Sequence, residues 1–406
     1  MNASYTTPAE ASRYQRLALI VGVVFTLILG LGFFLSPREL FFRSYLLAYV
    51  FWTGIALGCL AILMLQHLSG GGWGLVIRRV LESGTRTLPL MAVLFVPIIL
   101  GMGHLYEWTH IENFAHGKTV EEQHLYKMLV HKSKYLNVPG FIIRTVIYFA
   151  IWGALAYLLN LWSREQDRTA ERRFTKRLQA LSGPGMVLFV LTVTFASVDW
   201  VMSIDPEWFS TIFGLLFVAS WALSSFAFVI AVMALLARQE PMAGVVAPSH
   251  FHDLGKLMLA FVMVWAYFSF SQFLIIWSGN IPEEAKWYLY RMRGGWQVVA
   301  LALVLLHFAL PFLLLLSRDL KRNAKRLAMV AGLVLFMRLV DLFWLIAPKF
   351  SEGHFSMSWT DVVAPIGVGG LWLAFFLWQL QQRPLIPFND PQLPGVMEAA
   401  HRTGGH

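Results

Sequence analysis

Several ionisable side chains lie in the middle of long apolar runs, where they could carry protons or hold a polar ligand. Arg338 and Asp341 are three residues apart, so on a helix they share one face. His307 stands alone in the apolar run 296–316, and an imidazole titrates near neutral pH. A charged group at membrane depth is costly even on lenient insertion scales, so each of these residues needs an explanation.

Two interpretations remain open for these residues. Arg338 and Asp341 are either a self-neutralising pair that fixes helix packing or a site for a proton relay or a quinone headgroup. His307 is either a hydrogen-bonded structural residue or a group that donates to or accepts from a quinone oxygen.

A second polar layer is predicted toward the outer ends of the helices. Asp199 and Arg144 lie on the outer halves of two apolar runs, and we expect them to pair across helices. Gln272 extends the same layer on a third run. These residues either hold helices together or belong to a polar pathway through the bundle.

The sequence Asp205-Pro206-Glu207 has the composition of a helix start. An Asp at the N-cap, a Pro in the first turn and an acidic residue after it satisfy free backbone N–H groups and the helix dipole. We therefore predict that the sixth span begins here, and Asp205 is also retained as a candidate proton-pathway residue.

The sequence offers little for metals or haem. His104, Glu107 and His110 resemble a metal-ligand face, but they follow an apolar run at a wet interface, where solvated polar groups are common. A membrane haem needs paired axial histidines at depth, and only His307 is clearly deep. The single cysteine, Cys59, cannot form a disulfide within the chain or hold a cluster. We therefore expect no metal, haem or other redox cofactor bound by this chain.

The composition predicts the elements that must position these groups. The chain has 406 residues, of which 57% are hydrophobic and only 14% are charged. Soluble domains carry about 25% charged residues, so an all-α membrane protein is predicted and no soluble catalytic domain fits. The net charge of +9 does not indicate nucleic-acid binding, because the basic residues lie in short loops between apolar runs.

About ten apolar runs are long enough to cross a membrane, since a spanning helix needs roughly 20 residues. We expect two four-helix bundles, the second to fifth and the sixth to ninth spans, with the first and tenth helices flanking them. The chain then divides into an N-terminal segment 1–16, a transmembrane domain 17–381 and a C-terminal tail 382–406. The predicted spans are 17–35, 45–66, 87–106, 140–162, 185–203, 210–237, 257–278, 296–316, 327–347 and 361–380.

The distribution of Lys and Arg predicts the orientation. Loops on the side of the chain ends carry about 20 basic residues and the other loops about 10, so both ends are predicted to be cytoplasmic. The first apolar run is too long for a cleavable signal peptide. The loop 104–138 is then external, 163–183 is predicted as an amphipathic helix on the headgroups, and the Pro-rich tail is predicted to lie extended on partner subunits.

Three stretches of the sequence resemble the ActF subunit family of bacterial alternative complex III, and the resemblance extends over nearly the whole chain. They are QHLSGGGWG at 66–74, DWVMSIDPEWFSTIFG at 199–214 and FSQFLIIWSGNIPEE at 270–284.

The resemblance implies a ten-helix subunit of a quinol:cytochrome c (electron-acceptor) oxidoreductase in the bacterial inner membrane. Such subunits are distantly similar to the membrane anchors of polysulfide reductase. Iron–sulfur clusters and haem c then belong to partner subunits. The partners would be ActA to ActE, especially ActC-like and ActB-like subunits, together with membrane lipids and a terminal oxidase. The family's quinol site is placed in ActC, while ActF is assigned quinone or menaquinone binding or a proton half-channel.

The leading hypothesis is therefore a membrane subunit without its own redox cofactor, in which Asp199, Arg338, Asp341 and His307 line a polar cavity. That cavity would bind a quinone headgroup or pass protons. The alternatives are a purely structural anchor, in which the buried charges are only neutralised pairs, and an independent secondary transporter, for which paired broken helices would be expected.

Overall fold

The computed structural model describes residue 7, residues 10–115, 119–351, 353–395 and residue 398. All regular elements in this part of the chain are helical, and ten of the helices are long and apolar enough to cross a membrane. The chain is an all-α multi-pass membrane protein, as the composition predicts. Parts of the predicted N-terminal segment 1–16 and of the tail 382–406 lie outside the described residues.

The ten spans are numbered in chain order and most extend beyond the predicted apolar runs. A π-helical segment, Leu303–Ala309, interrupts span 8, and the short helices Val120–Lys132, Pro282–Arg291 and Arg318–Arg322 lie between spans. The bounds of spans 1 to 10 are Glu10–Leu35, Arg38–Ser69, Gly72–Leu100, Val138–Thr169, Arg172–Ile204, Phe213–Leu236, Pro248–Gly279, Trp296–Leu316, Ala324–Ser351 and Thr360–Gln381.

Spans 2 to 5 pack together as a first bundle, and spans 6 to 9 as a second. Spans 2 and 6 join the bundles, and span 2 is 94% buried over its most apolar window. Spans 1 and 10 pack against each other. A Cβ on Gly370 would lie 2.4 Å from the Cα of Gly22, so only glycines permit this approach of the two backbones.

Span 1 begins and span 10 ends on one face of the protein, where Oγ of Ser12 donates to Oε1 of Gln381 at 3.0 Å. We call this the proximal face and the opposite one the distal face. The loop 104–138 is on the distal face and contains the 3₁₀ helix Glu107–Phe114 and the helix Val120–Lys132.

Four local predictions were wrong. Span 3 begins at Gly72 rather than residue 87, because its first half is charged but buried. Asp205 does not cap span 6, which begins at Phe213 after an irregular segment.

Residues 163–183 are not a separate surface helix: span 4 ends at Thr169, and Ala170 turns the chain into span 5 with a φ of 56°. Residues 383–395 do not leave the protein, because Leu385, Ile386 and Leu393 are buried against it.

Candidate functional site

Arg338 and Asp341 form an ion pair in the interior of the second bundle. Nη1 of Arg338 donates to Oδ2 of Asp341; the guanidinium is fully buried and the carboxylate almost fully. Both residues lie on the helix Ala324–Ile346, where a spacing of three places them on one face. Because the two charges neutralise each other, the cost of burying them is lower than for either alone.

Aromatic side chains from the neighbouring spans surround this pair. Nε1 of Trp265, on span 7, donates to Oδ2 of Asp341 at 3.1 Å. The Trp265 ring meets the imidazole of His307 edge-on, with ring centroids 4.2 Å apart. The Phe217 ring of span 6 lies 5.6 Å from the Arg338 guanidinium carbon. Spans 6 to 9 thus all contribute to one group of five residues, which we call the Arg338 cluster.

Several polar atoms of the Arg338 cluster have no hydrogen-bond partner among the described residues. They are Nε and Nη2 of Arg338 and both ring nitrogens of the fully buried His307. Buried polar groups in proteins are nearly always paired with protein or with water. His307 also lies in the π-helical segment, and such segments are frequent at functional sites. The cluster is therefore suited to hold a small polar species or to transfer a proton.

Asp199 and Arg144 are brought together as predicted, but in the first bundle. Arg144 donates from Nε and Nη2 to the two carboxylate oxygens of Asp199, at 2.9 Å in each case. The hydroxyl of Tyr148 donates to Oδ2 of Asp199 at 2.7 Å, and the carboxylate is fully buried. The guanidinium of Arg144 also lies over the Tyr135 ring, 3.9 Å from its centroid. Both oxygens of Asp199 are occupied by strong bonds, so this geometry favours a structural tie between spans 4 and 5.

Asp205 lies at the distal face beside two cations. Its Oδ1 is 3.9 Å from Nζ of Lys349, which also pairs with Glu107 at 3.2 Å. The buried Arg291 donates to the carbonyls of Trp287, Trp344 and Leu345. Burial lowers the pKa of Arg291, and the charge of Asp205 raises it. The cavity between these residues is about 10 Å³, which is the size for a single water.

Gln272 contacts the loop helix rather than the Arg338 cluster. Its Nε2 donates to the hydroxyl of Tyr288 at 3.3 Å, and both side chains are buried. Burial raises the pKa of Tyr288 to about 12. Gln272 therefore ties span 7 to the helix Pro282–Arg291.

The sequence interpretation missed a buried charge network at the proximal end of span 3. Glu82 accepts from Arg78 at 3.1 Å and from Arg79 at 2.7 Å. Ser163 of span 4 donates to Glu82 at 2.5 Å, and Arg79 also pairs with Asp167. Arg78, Arg79 and Glu82 are all buried. Their spacing of three and four residues could have shown a common helical face, but not the partners on other spans.

The C-terminal tail completes this network. Asp390 accepts from Nη1 of Arg78 at 2.7 Å, and Arg383 donates to Glu82 at 3.3 Å and to Asn160 at 3.2 Å. The tail therefore supplies one negative and one positive charge to the interior of its own chain.

A further buried pair was also missed. Arg43 of span 2 pairs with Asp361 of span 10 at 2.5 Å, and Ser44 donates to the same carboxylate at 2.6 Å. The partners are separated by 318 residues, so no local pattern could indicate them.

The structure thus separates the predicted site residues into distinct groups. Arg338, Asp341 and His307 share one cluster, whereas Asp199 pairs with Arg144 in the first bundle and Asp205 with Lys349 at the distal face. Among the described residues, no group of three His, Cys, Asp or Glu side chains could hold a metal ion.

Comparison with known proteins does not extend this description: the sequence matches no family model and no curated protein.

Proposed function

We propose that this chain is a membrane subunit of a respiratory quinol:electron-acceptor oxidoreductase and that the Arg338 cluster carries protons through its second bundle. The electron carriers would belong to partner subunits of the alternative complex III type. The support is the ten-helix fold together with the three sequence stretches that resemble the ActF family.

The observation that carries the proton-transfer role is the unpaired, fully buried imidazole of His307 beside the Arg338–Asp341 pair. A structural pair needs no further polar group at its side. An imidazole near a carboxylate can exchange a proton with it directly or through one water. A quinone ring would have to displace side chains that are already buried against one another, so proton transfer fits this geometry better than headgroup binding.

Each residue has a distinct part in this proposal. Asp341 takes up and releases the proton, and Arg338 holds the carboxylate in place through the ion pair. Trp265 fixes the carboxylate through its 3.1 Å hydrogen bond and positions the imidazole. His307, in the π-helical segment of span 8, exchanges the proton with Asp341 and passes it on.

The test is Asp341→Asn in membranes that contain the assembled complex, with quinol oxidation and proton release measured together. Removing the titrating group should lower proton release on the order of tenfold or more. Asp341→Glu keeps the carboxyl and should restore most of it. The matched control is Asp361→Asn, since Asp361 is also buried and paired with an arginine but its carboxylate is fully hydrogen-bonded.

A purely structural anchor predicts a different outcome. The double variant Arg338→Gln, Asp341→Asn would then turn over and release protons at the wild-type rate once assembled. Equal effects of Asp341→Asn and Asp361→Asn on proton release per assembled complex would also contradict the proposal.

A further inference from the structure

A large cleft opens on the side of the protein between spans 1 and 10 on one wall and spans 2, 6 and 9 on the other. Its volume is about 850 Å³, within the range of about 300–1,000 Å³ that ligand sites occupy. Leu339 of span 9 contributes to the cleft, but Arg338, which faces the bundle interior, does not. The cleft is therefore separate from the Arg338 cluster.

The cleft exists because span 1 is held by span 10 and hardly touches the rest of the protein. Only 17% of its most apolar window is buried. Gly22 of span 1 packs directly on the backbone of Gly370 of span 10, whereas a gap separates span 1 from span 6. At the proximal end the gap is bridged by one hydrogen bond, from Nε2 of Gln239 to Oε2 of Glu10 at 2.8 Å.

Among the described residues, the charged side chains of the cleft lie at its mouth. Glu10, Arg238 and Gln239 line it at the proximal face, and Arg238 is exposed. At the deep end the indole N–H of Trp52 is already donated to the carbonyl of Pro365 at 2.9 Å. The remaining lining is almost entirely apolar. This distribution suits an amphiphile whose charged head stays at the membrane surface and whose long tails enter the cleft. It does not suit a ligand with a polar ring deep in the membrane.

The cleft reaches from the proximal face at least to the bilayer midplane. Its lining on span 1 runs from Glu10 to Val21, a helical rise of about 16 Å, and on span 10 from Leu380 to Pro365, a rise of about 22 Å. Half of a hydrocarbon core of about 30 Å is about 15 Å. The cleft therefore has room for an acyl chain that reaches the midplane from the mouth.

We propose that the cleft holds a phospholipid of the leaflet on the proximal side, with its phosphate at Arg238 and its acyl chains between spans 1 and 6. Arginine binds phosphate oxygens through charge-assisted, often bidentate hydrogen bonds. Arg13 and Arg16 on the first turns of span 1 add positive charge at the same level. The Glu10 carboxylate accepts from Gln239, and among the described residues Arg238 forms no ion pair, so its guanidinium is open to a phosphate.

The test is to purify the full chain in detergent and to measure bound lipid by native mass spectrometry and by organic extraction. Ala231→Trp fills the cleft from span 6, and Arg238→Ala removes the phosphate partner. The control is Val24→Trp, which places the same bulk on the exposed side of span 1 outside the cleft.

Wild type and Val24→Trp should retain phospholipid in a fixed ratio to protein. Ala231→Trp should lose it several-fold, and Arg238→Ala should lose it on washing with a second detergent. Wild-type protein that carries no phospholipid, or that carries isoprenoid quinone instead, overturns the proposal. Equal retention by Ala231→Trp and Val24→Trp overturns it as well.

Discussion

Glu82→Gln is expected to destabilise the protein strongly, although the replacement has nearly the same shape. Glu82 is fully buried and accepts hydrogen bonds from Arg78, Arg79, Arg383 and Ser163. The glutamine removes the negative charge and turns one acceptor oxygen into a donor that faces arginine N–H groups. Breaking a buried ion pair from one side costs about 3–5 kcal/mol, because the remaining charge stays buried without compensation.

One acceptor oxygen survives in glutamine, and Asp167 and Asp390 still neutralise part of the network. We therefore expect a loss of about 3 kcal/mol, at the lower end of that range. The assay is reversible unfolding in mixed detergent and dodecyl sulfate micelles, followed by tryptophan fluorescence. The measured quantity is the free energy of unfolding.

The matched control is Glu165→Gln, which removes a partly exposed partner of Arg168 at 3.3 Å. Exposed pairs of this kind contribute about 0.2–1 kcal/mol at most. If Glu82→Gln lowers the free energy of unfolding by no more than this control does, the network does not stabilise the fold and the reasoning from buried charge is refuted.

Two further predictions concern titration and helix packing. Burial raises the pKa of the Tyr288 hydroxyl from 10.0 to about 12. The contribution of this group to the free energy of unfolding is therefore fully present below pH 10 and is lost as the pH rises from 10 toward 12. Tyr288→Phe should flatten this loss in thermal unfolding curves, and an unchanged slope would contradict the assignment. Gly370→Ala should lower the free energy of unfolding by about 1–3 kcal/mol, because its Cβ would lie 2.4 Å from Gly22. Gly30→Ala has no neighbour within 4 Å and should be neutral or slightly stabilising.

The number and type of spans could be predicted because burial in lipid demands long apolar helices, and hydropathy detects them directly. The first half of span 3 was not predicted as part of a span because Arg78, Arg79 and Glu82 lower its hydropathy. The two arginines are tolerated because Asp167 pairs with Arg79 and Asp390 with Arg78, in addition to Glu82. Asp167 is 88 residues from Arg79 and Asp390 is 312 residues from Arg78, so no local sequence window includes both partners of either pair.

The residues of the candidate site could be predicted from the sequence, but their arrangement could not. Arg338, Asp341 and His307 could be found because each is an ionisable group in an apolar run. Their grouping with Trp265 could not, because it depends on how spans 7, 8 and 9 rotate against one another. Asp205 was misassigned because Asp-Pro-Glu suits an irregular turn as well as a helix start, and the helix begins only at Phe213.

The pairing of spans 1 and 10 has a consequence for the order of events during synthesis. Span 1 enters the membrane before spans 2 to 10 are made, and its principal packing partner is span 10, which is synthesised long after it. At about 5–20 residues per second, the interval between the two is roughly 20–70 s. During that time the glycine face around Gly22 is exposed to lipid or to an insertion factor. A chain that stops short of Thr360 can insert nine helices and still leave span 1 without its main packing partner, which would mark incomplete molecules for membrane proteases.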